Sequence, residues 1–104
     1  MALLAGAGLA IAALGPARGA AAEAIKTLAA IYGTPSENRT CDATEAVARA
    51  CDGKASCTVV AGNALCGDPD FGTPKSLNVE YQCGPAVAKS ITAFEETEAH
   101  LRCE

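Results

Sequence analysis

Six cysteines in a chain of 104 residues constrain this protein more than any other feature of its sequence. Five of them fall between Cys41 and Cys83, and the sixth is Cys103. The successive spacings are C-x9-C, C-x5-C, C-x8-C, C-x16-C and C-x19-C, and none is the closely spaced pair that a zinc site usually needs. An even number of cysteines in a short chain without metal spacing predicts disulfides. It therefore predicts a secreted protein, extracellular or periplasmic.

The first 22 residues have the composition of a secretory signal peptide. An apolar run extends from Ala2 to Leu14, and small residues follow Pro16 up to Ala22. The run is too short for a membrane span, which needs about 20 apolar residues. No Lys or Arg precedes it, so either the true start of the protein lies upstream or the run is an Ala-rich helix of another kind. We expect residues 1–22 to be a signal peptide, residues 23–104 to be a single domain, and no membrane span to remain after cleavage.

Composition limits both the core and the partners of such a domain. The chain has no tryptophan and four other aromatic residues, so its hydrophobic core must be small. Disulfides worth about 2–4 kcal/mol each would then supply much of the net stability. The net charge is −4 and the basic residues are scattered, which excludes the basic face that nucleic acid requires.

Hydrophobic patterns predict mostly strands. Residues 25–32 are apolar enough for a buried strand, although periodicity alone does not exclude a helix there. Residues 57–61 are β-branched and predict a second strand. Residues 62–75 are rich in Gly, Pro, Asp and Asn and predict an ordered loop. A half-buried strand then follows, because apolar residues alternate with polar ones at Leu77, Val79, Tyr81 and Cys83.

The remaining segments are one short helix and an ambiguous tail. Asp42 and Glu45 have the spacing of a capping box, and apolar residues at helical spacing follow, so residues 42–50 are expected to be helical. Gly53 ends that segment. From Val87 to Leu101 the pattern suits a helix or a strand equally well.

The sequence offers little for catalysis. His100 is the only histidine, and no Ser-His-Asp order surrounds it. One histidine and paired cysteines leave no metal-binding set. Glu95, Glu96 and Glu98 form a charged run of the kind that usually faces solvent. We therefore expect a protein that is not an enzyme and needs no cofactor.

Three segments occur in an order that is typical of one lectin family. They are IYG at 31–33, CDGKASC at 51–57 and VVAGNALCGDPDFGTPKSLNVEYQC at 59–83. Over about residues 28–84 the chain resembles the galactose- and rhamnose-binding lectin domain of the sea-urchin-egg-lectin type. The resemblance implies a small secreted domain that binds carbohydrate without calcium. With the patterns above it implies an α+β fold, a disulfide-stapled antiparallel β-sandwich-like domain with one or two short helices.

The same resemblance implies a set of sugar ligands. By position in the family motifs they are Tyr32, Asn63, Asp68, Gly72 and Lys75. Sugar hydroxyls both donate and accept, so a site benefits from a carboxylate, an ammonium and an amide, which Asp68, Lys75 and Asn63 would supply. A tyrosine ring could cover the apolar face of the sugar, and glycine lets the backbone come close.

One family feature is missing from its usual place. The opening strand with its sugar-binding glutamate does not precede Ile25, but the tail from Phe94 to Cys103 resembles it, with Glu95 at the glutamate position. Residues 90–104 are therefore either a circularly permuted first strand or the start of a second copy of the domain. The permuted interpretation predicts a Cys83–Cys103 disulfide. The family pattern implies two further pairs, Cys51–Cys57 and Cys41–Cys66.

The motifs and the missing strand leave three functions open. The first is a lectin-like module for galactose- or rhamnose-type sugars. The second is a disulfide-stapled adhesion or protein-interaction module that has lost the sugar site. The third is an accessory domain of a carbohydrate-active enzyme.

Overall fold

Six antiparallel strands and one helix make up the part of the chain that the computed structural model describes, residues 23–103. The expected signal peptide lies outside these residues. The elements are β1 (Ile25–Thr34), β2 (Arg39–Asp42), α1 (Thr44–Cys51), β3 (Ser56–Val60), β4 (Ser76–Cys83), β5 (Lys89–Phe94) and β6 (Glu98–Arg102), with a short 3-10 turn at Pro35–Glu37. The expected disulfide-stapled α+β class is confirmed. Between residues 23 and 103 no helix has the length and apolar character needed to cross a bilayer.

The strands form two sheets. Strands β2, β1, β4 and β5 lie side by side in that order, and β3 pairs with β6 in a second, two-stranded sheet. In the larger sheet Tyr32 of β1 lies opposite Leu77 of β4, and both side chains are fully buried. The predicted alternation of β4 is confirmed, because its four apolar residues are buried between polar ones. The core is completed by Val47 from α1 and Leu101 from β6.

The helix starts later than expected and has no capping box. Asp42 still belongs to β2, where it pairs with Ile31, so its backbone is extended. Its Oδ1 accepts a hydrogen bond from the Thr44 N–H at 2.9 Å, two residues on rather than three. Glu45 does not reach back; it forms an exposed ion pair with Arg49 at 3.5 Å. The strand pairing of Asp42 therefore prevents the reciprocal cap that the spacing predicts.

The ambiguous tail is two strands. Residues Lys89–Phe94 pair with β4 in the large sheet, and Glu98–Arg102 pair with β3 in the small one. The chain passes from the large sheet to the small one in the turn between Phe94 and Glu98, where Glu96 has a positive φ of 74°. Only Phe94 of the segment that resembles the opening strand lies beside β4, at the end of β5. The rest of that segment forms β6 and pairs with β3, so it does not take the place beside Ser76–Cys83 that the permuted interpretation expects. The choice between permutation and a second copy stays a prediction.

Three disulfides join the elements, and together they use all six cysteines of the chain. The pairs are Cys41–Cys66, Cys51–Cys57 and Cys83–Cys103, the same pairs that the resemblance implies. Cys83 ends β4 in the large sheet, and Cys103 follows β6 in the small one, so this bond ties the two sheets together. Three such bonds fit an oxidising compartment.

Candidate functional site

The loop between β3 and β4, residues 61–75, carries most of the predicted site residues. Its first half is folded back on itself, because the Gly67 N–H donates to the Asn63 carbonyl at 2.9 Å. The Cys41–Cys66 disulfide fixes this turn to β2. Gly72 has a φ of +83°, a backbone conformation that side-chain-bearing residues rarely adopt. The loop is thus ordered by covalent and hydrogen bonds, as expected from its composition.

Lys75 organises the site from inside. Its side chain is only 3% exposed, and its Nζ lies 2.8 Å from Asp68 Oδ1 and 3.3 Å from Glu95 Oε1. Nζ also donates to the backbone carbonyls of Asp70, at 3.2 Å, and Thr73, at 3.0 Å. Four acceptors surround a group that has three N–H bonds. The geometry therefore leaves no proton of Lys75 for a sugar, and the expected donor role does not fit it.

Glu95 joins the cluster from the other end of the chain. Its Oε1 accepts the Lys75 backbone N–H at 2.9 Å, while its own N–H donates to the Lys75 carbonyl at 2.7 Å. The side chains of Glu95 and Asp68 remain 20% and 27% exposed. Two carboxylates from separate segments of the chain thus reach the surface close together. Both contact the buried ammonium of Lys75.

The electrostatics favour the ionised forms of Glu95 and Lys75. The pKa of Glu95 is lowered, chiefly because its carboxylate accepts the Lys75 backbone N–H, and the ammonium adds to this. The pKa of Lys75 is raised, chiefly by its hydrogen bond with Asp68, against the opposing effect of burial. Each ionised group therefore stabilises the charge of the other.

Tyr32 does not lie where a sugar could meet its ring. The side chain is fully buried, and its hydroxyl donates to Asn63 Oδ1 at 2.7 Å. Burial raises the pKa of Tyr32, and the nearby charge of Glu95 raises it further. The expectation that this ring covers the apolar face of a sugar does not fit the structure, because β1 directs the ring into the core. Tyr32 instead positions Asn63, which is itself exposed.

A surface depression of about 410 Å³ lies over the cluster. Its lining includes Asp68, Phe71, Gly72, Pro74, Lys75 and Glu95. Four of the six predicted residues therefore come together here, while Tyr32 and Asn63 do not line it. Phe71 was not among the residues predicted from the sequence. Its ring is 90% exposed at the depression, and the sequence holds no local signal that separates an exposed phenylalanine from a buried one.

Another depression, of about 460 Å³, lies on the two-stranded sheet and is lined by residues that include Lys54, Ser56, His100 and Arg102. It contains none of the predicted residues, and each of these four is exposed. The polar groups there are not held by buried partners, so we assign the functional site to the Lys75 cluster. Within residues 23–103 no three potential metal ligands come together.

Two lectins are similar in sequence to this chain. A D-galactoside-specific lectin of Heliocidaris crassispina is 43% identical over 56 residues, which are 51% of this chain and 53% of that lectin. An L-rhamnose-binding lectin of Scomberomorus niphonius is 46% identical over 48 residues, which are 45% of this chain and 24% of that lectin. The resemblance to sea-urchin-egg-type lectins is confirmed.

The similarity is partial. The chain spans about half the length of the first of these lectins and about a quarter of the second. No family model matches the chain, and no solved structure matches it.

Proposed function

We propose that this chain is a non-catalytic carbohydrate-binding module for galactose- or rhamnose-type sugars that works without calcium outside the cytosol. The observation that carries the proposal is the pair of partly exposed carboxylates, Asp68 and Glu95, that the buried Lys75 holds together. The two lectins named above support the choice of ligand class.

The carboxylates are suited to sugar hydroxyls. An ionised carboxylate offers about four acceptor positions, and Lys75 occupies only part of them. Lys75 contacts Oδ1 of Asp68, and the side chain of Asp68 is 27% exposed, so a ligand can reach the carboxylate. Hydrogen bonds to charged acceptors are about twice as strong as neutral ones. Because the carboxylates are fixed before the ligand arrives, little ordering entropy is lost on binding.

The remaining residues have supporting roles. Lys75 is a positioning residue, since it touches both carboxylates and is itself inaccessible. Gly72 allows the loop to turn at the edge of the depression. Phe71 supplies the exposed aromatic ring that was expected from Tyr32, and an aromatic face suits the C–H groups on one side of a pyranose.

An Asp68→Asn variant tests this proposal by NMR titration with methyl galactoside and methyl rhamnoside, in the presence of a calcium chelator. The substitution removes the charge and keeps the shape, so affinity should fall by about 10-fold or more. Glu80→Gln is the matched control, because Glu80 is exposed on β4 away from the depression. Wild-type affinity in the Asp68→Asn variant would contradict the proposed site.

One observation favours a second candidate, a stapled adhesion or protein-interaction module without a sugar site. Both Tyr32 and Lys75 are internal, so two of the expected ligands have structural roles. An array of galactose- and rhamnose-containing glycans separates the candidates. Folded protein that binds none of these glycans would favour the interaction module. Binding restricted to polysaccharides would favour the accessory domain of a carbohydrate-active enzyme.

A further inference from the structure

Both phenylalanines of this chain lie on its surface. Phe71 is 90% exposed and Phe94 is 73% exposed, whereas both tyrosines are buried. Phenylalanine is normally among the most buried residues. In a protein with so few aromatic side chains for its core, two exposed rings beside one cluster of carboxylates require an explanation beyond packing.

The two rings line adjoining depressions. Phe71 lines the one over Asp68, and Phe94 lines a second one of about 440 Å³. Pro74, Lys75 and Glu95 belong to both, so the second depression begins where the first one ends. Both volumes lie in the range of about 300–1,000 Å³ that is usual for ligand sites.

The backbone around Phe94 is held in place. Phe94 ends β5, opposite Ser76 of β4. Its carbonyl accepts two hydrogen bonds from Thr97, one from the backbone N–H at 2.9 Å and one from the hydroxyl at 2.7 Å. These hydrogen bonds fix the point on the backbone from which the Phe94 ring projects, so that part of the chain loses no freedom when a ligand stacks on the ring.

The second depression also has the mixed lining that a sugar needs. Its apolar part includes Pro35, Pro74 and Phe94, and its hydroxyl-bearing residues are Thr34, Ser36 and Ser76. The Thr34 hydroxyl is buried and has no hydrogen-bond partner within residues 23–103. Because the Thr34 hydroxyl is shielded from solvent, the hydroxyls that a sugar could reach in this wall are those of Ser36 and Ser76.

We propose that the depression at Phe94 is a second sugar subsite, and that the ligand of this protein is an oligosaccharide rather than a single sugar. This inference rests on the proposed function. One unit binds at Asp68 and Glu95, and the adjoining unit stacks against Phe94. Glu95 lies between the two subsites and contacts the linkage region.

The test compares single sugars with longer ones. Methyl galactoside and methyl rhamnoside are titrated beside disaccharides and trisaccharides that contain the same sugars, with wild type, Phe94→Ala and Phe94→Tyr. We expect at least one longer sugar to bind wild type about 3- to 10-fold more tightly than its single unit, and Phe94→Ala to remove that gain. Phe94→Tyr keeps the ring and should keep the gain. Single-sugar affinity should be equal in all three proteins.

Val87→Ala is the matched control, since Val87 is an exposed apolar residue in the turn after β4 and lines neither depression. Single sugars that bind with no gain from any longer one would overturn the subsite and leave the proposed function standing. A Phe94→Ala protein that keeps the gain would likewise overturn the subsite alone. Failure of wild type to bind any of these sugars would overturn the proposed function, and the subsite with it.

Discussion

At the scale of single residues, Lys75 acts in the proposed site through its neighbours, because its buried ammonium is not available to a ligand. Its ammonium is enclosed by two carboxylates and two backbone carbonyls. Removing the charge would leave Asp68 and Glu95 facing each other without compensation, and like charges at short range repel. The residue therefore matters through the geometry that it imposes on its neighbours.

Lys75→Met should lower the thermal midpoint and abolish sugar binding together. Methionine preserves much of the side-chain length but supplies no N–H donor, so both carboxylates lose their common partner. Lys26→Met is the control, because Lys26 is exposed on β1. Thermal unfolding and NMR titration measure the two effects. A Lys75→Met protein with the wild-type midpoint and affinity would show that the ammonium does not organise the site.

The loss of unfolding free energy at acidic pH should depend on Glu95 and Asp42. The pKa of each is lowered in the folded protein, Glu95 chiefly by the Lys75 backbone N–H and Asp42 chiefly by the side chain of Thr44. Their stabilisation is therefore present above the ordinary pKa values of 4.5 and 3.8, and it is lost as the pH falls through the lower folded values. Urea unfolding between pH 2 and pH 6 should show a shallower decline for Glu95→Gln than for Glu80→Gln. Equal slopes would contradict this assignment.

At alkaline pH the stability should fall as the pH rises, because the pKa shifts there are upward. The pKa of Lys75 is raised by its hydrogen bond with Asp68, and the pKa of Tyr32 is raised by burial. Both groups hold their protons more tightly when folded, so their contribution is complete below the ordinary values of 10.5 and 10.0 and is lost as the pH rises further. Urea unfolding between pH 8 and pH 12 should show this decline, and Tyr32→Phe should reduce it. An unchanged decline in Tyr32→Phe would exclude the tyrosine as a contributor.

At the same scale, residue type was predictable and residue role was not. The motifs identified Tyr32 and Lys75 as important, but both were expected to touch a ligand directly. Whether a polar side chain points outward depends on which face of its strand is covered, and that is decided by pairing partners far along the chain. Phe71 illustrates the converse, because nothing local distinguishes an exposed phenylalanine from a core one.

At the scale of elements, the β1–β2 pairing depends on Gly33. This residue has a φ of +145° and lies opposite Thr40. A Cβ added here would lie 2.7 Å from Thr40 Cα and would also collide with the Arg39 carbonyl oxygen. Only glycine allows β2 to approach β1 this closely.

Gly33→Ala should therefore destabilise the protein by about 2–4 kcal/mol, from backbone strain and the forced separation of the strands. Gly53→Ala separates these two effects, since Gly53 has a φ of +88° but no neighbour within 4 Å of an added Cβ. It should cost only about 1 kcal/mol. Urea unfolding measures both variants. Equal losses would mean that close approach of β2 contributes nothing.

Strands were predicted correctly where one face packs against the core and the other faces solvent. β4 alternates cleanly between buried and exposed residues, so its period is visible in the sequence. The tail has no such signal, because β5 and β6 belong to different sheets and are separated by a turn. Its apolar residues therefore imitate a helical pattern across two strands. The capping box of α1 failed for a related reason, since tertiary pairing of Asp42 overrides a local preference.

At the scale of the whole molecule, the disulfides should contribute unequally. Cys83–Cys103 closes a loop with a sequence separation of 20, and Cys51–Cys57 closes one of 6. Longer loops lose more entropy in the unfolded state when they are closed. Replacing both cysteines of the longer pair by alanine should cost about 3 kcal/mol, against about 2 kcal/mol for the shorter pair. Urea unfolding of the two variants measures the difference, and the reverse order would contradict the loop-entropy account.

The candidate site as a whole was accessible only through the resemblance. Asp68 and Lys75 are close in sequence, but Glu95 reaches them because β5 pairs with β4 and delivers the next residue to the edge of the loop. No pattern within a single sequence shows that Glu95 lies close to Asp68 and Lys75. The family resemblance indicated Glu95 as a site residue, because it aligns the tail with an opening strand that is absent from its usual place.

The turn that carries Glu95 is bonded to both parts of the molecule. Glu95 shares a hydrogen bond with the Lys75 backbone, Glu96 donates to the Ala61 carbonyl, and Ala61 donates to the Thr97 carbonyl. Because the chain crosses from the large sheet to the small one at this turn, a saccharide bound to Glu95 in the proposed site would restrain the connection between the two sheets. Amide protons in both sheets next to this turn should then exchange more slowly with solvent deuterium in the sugar-bound protein than in the free protein. Binding at a shallow surface depression would thus reduce local opening in both sheets.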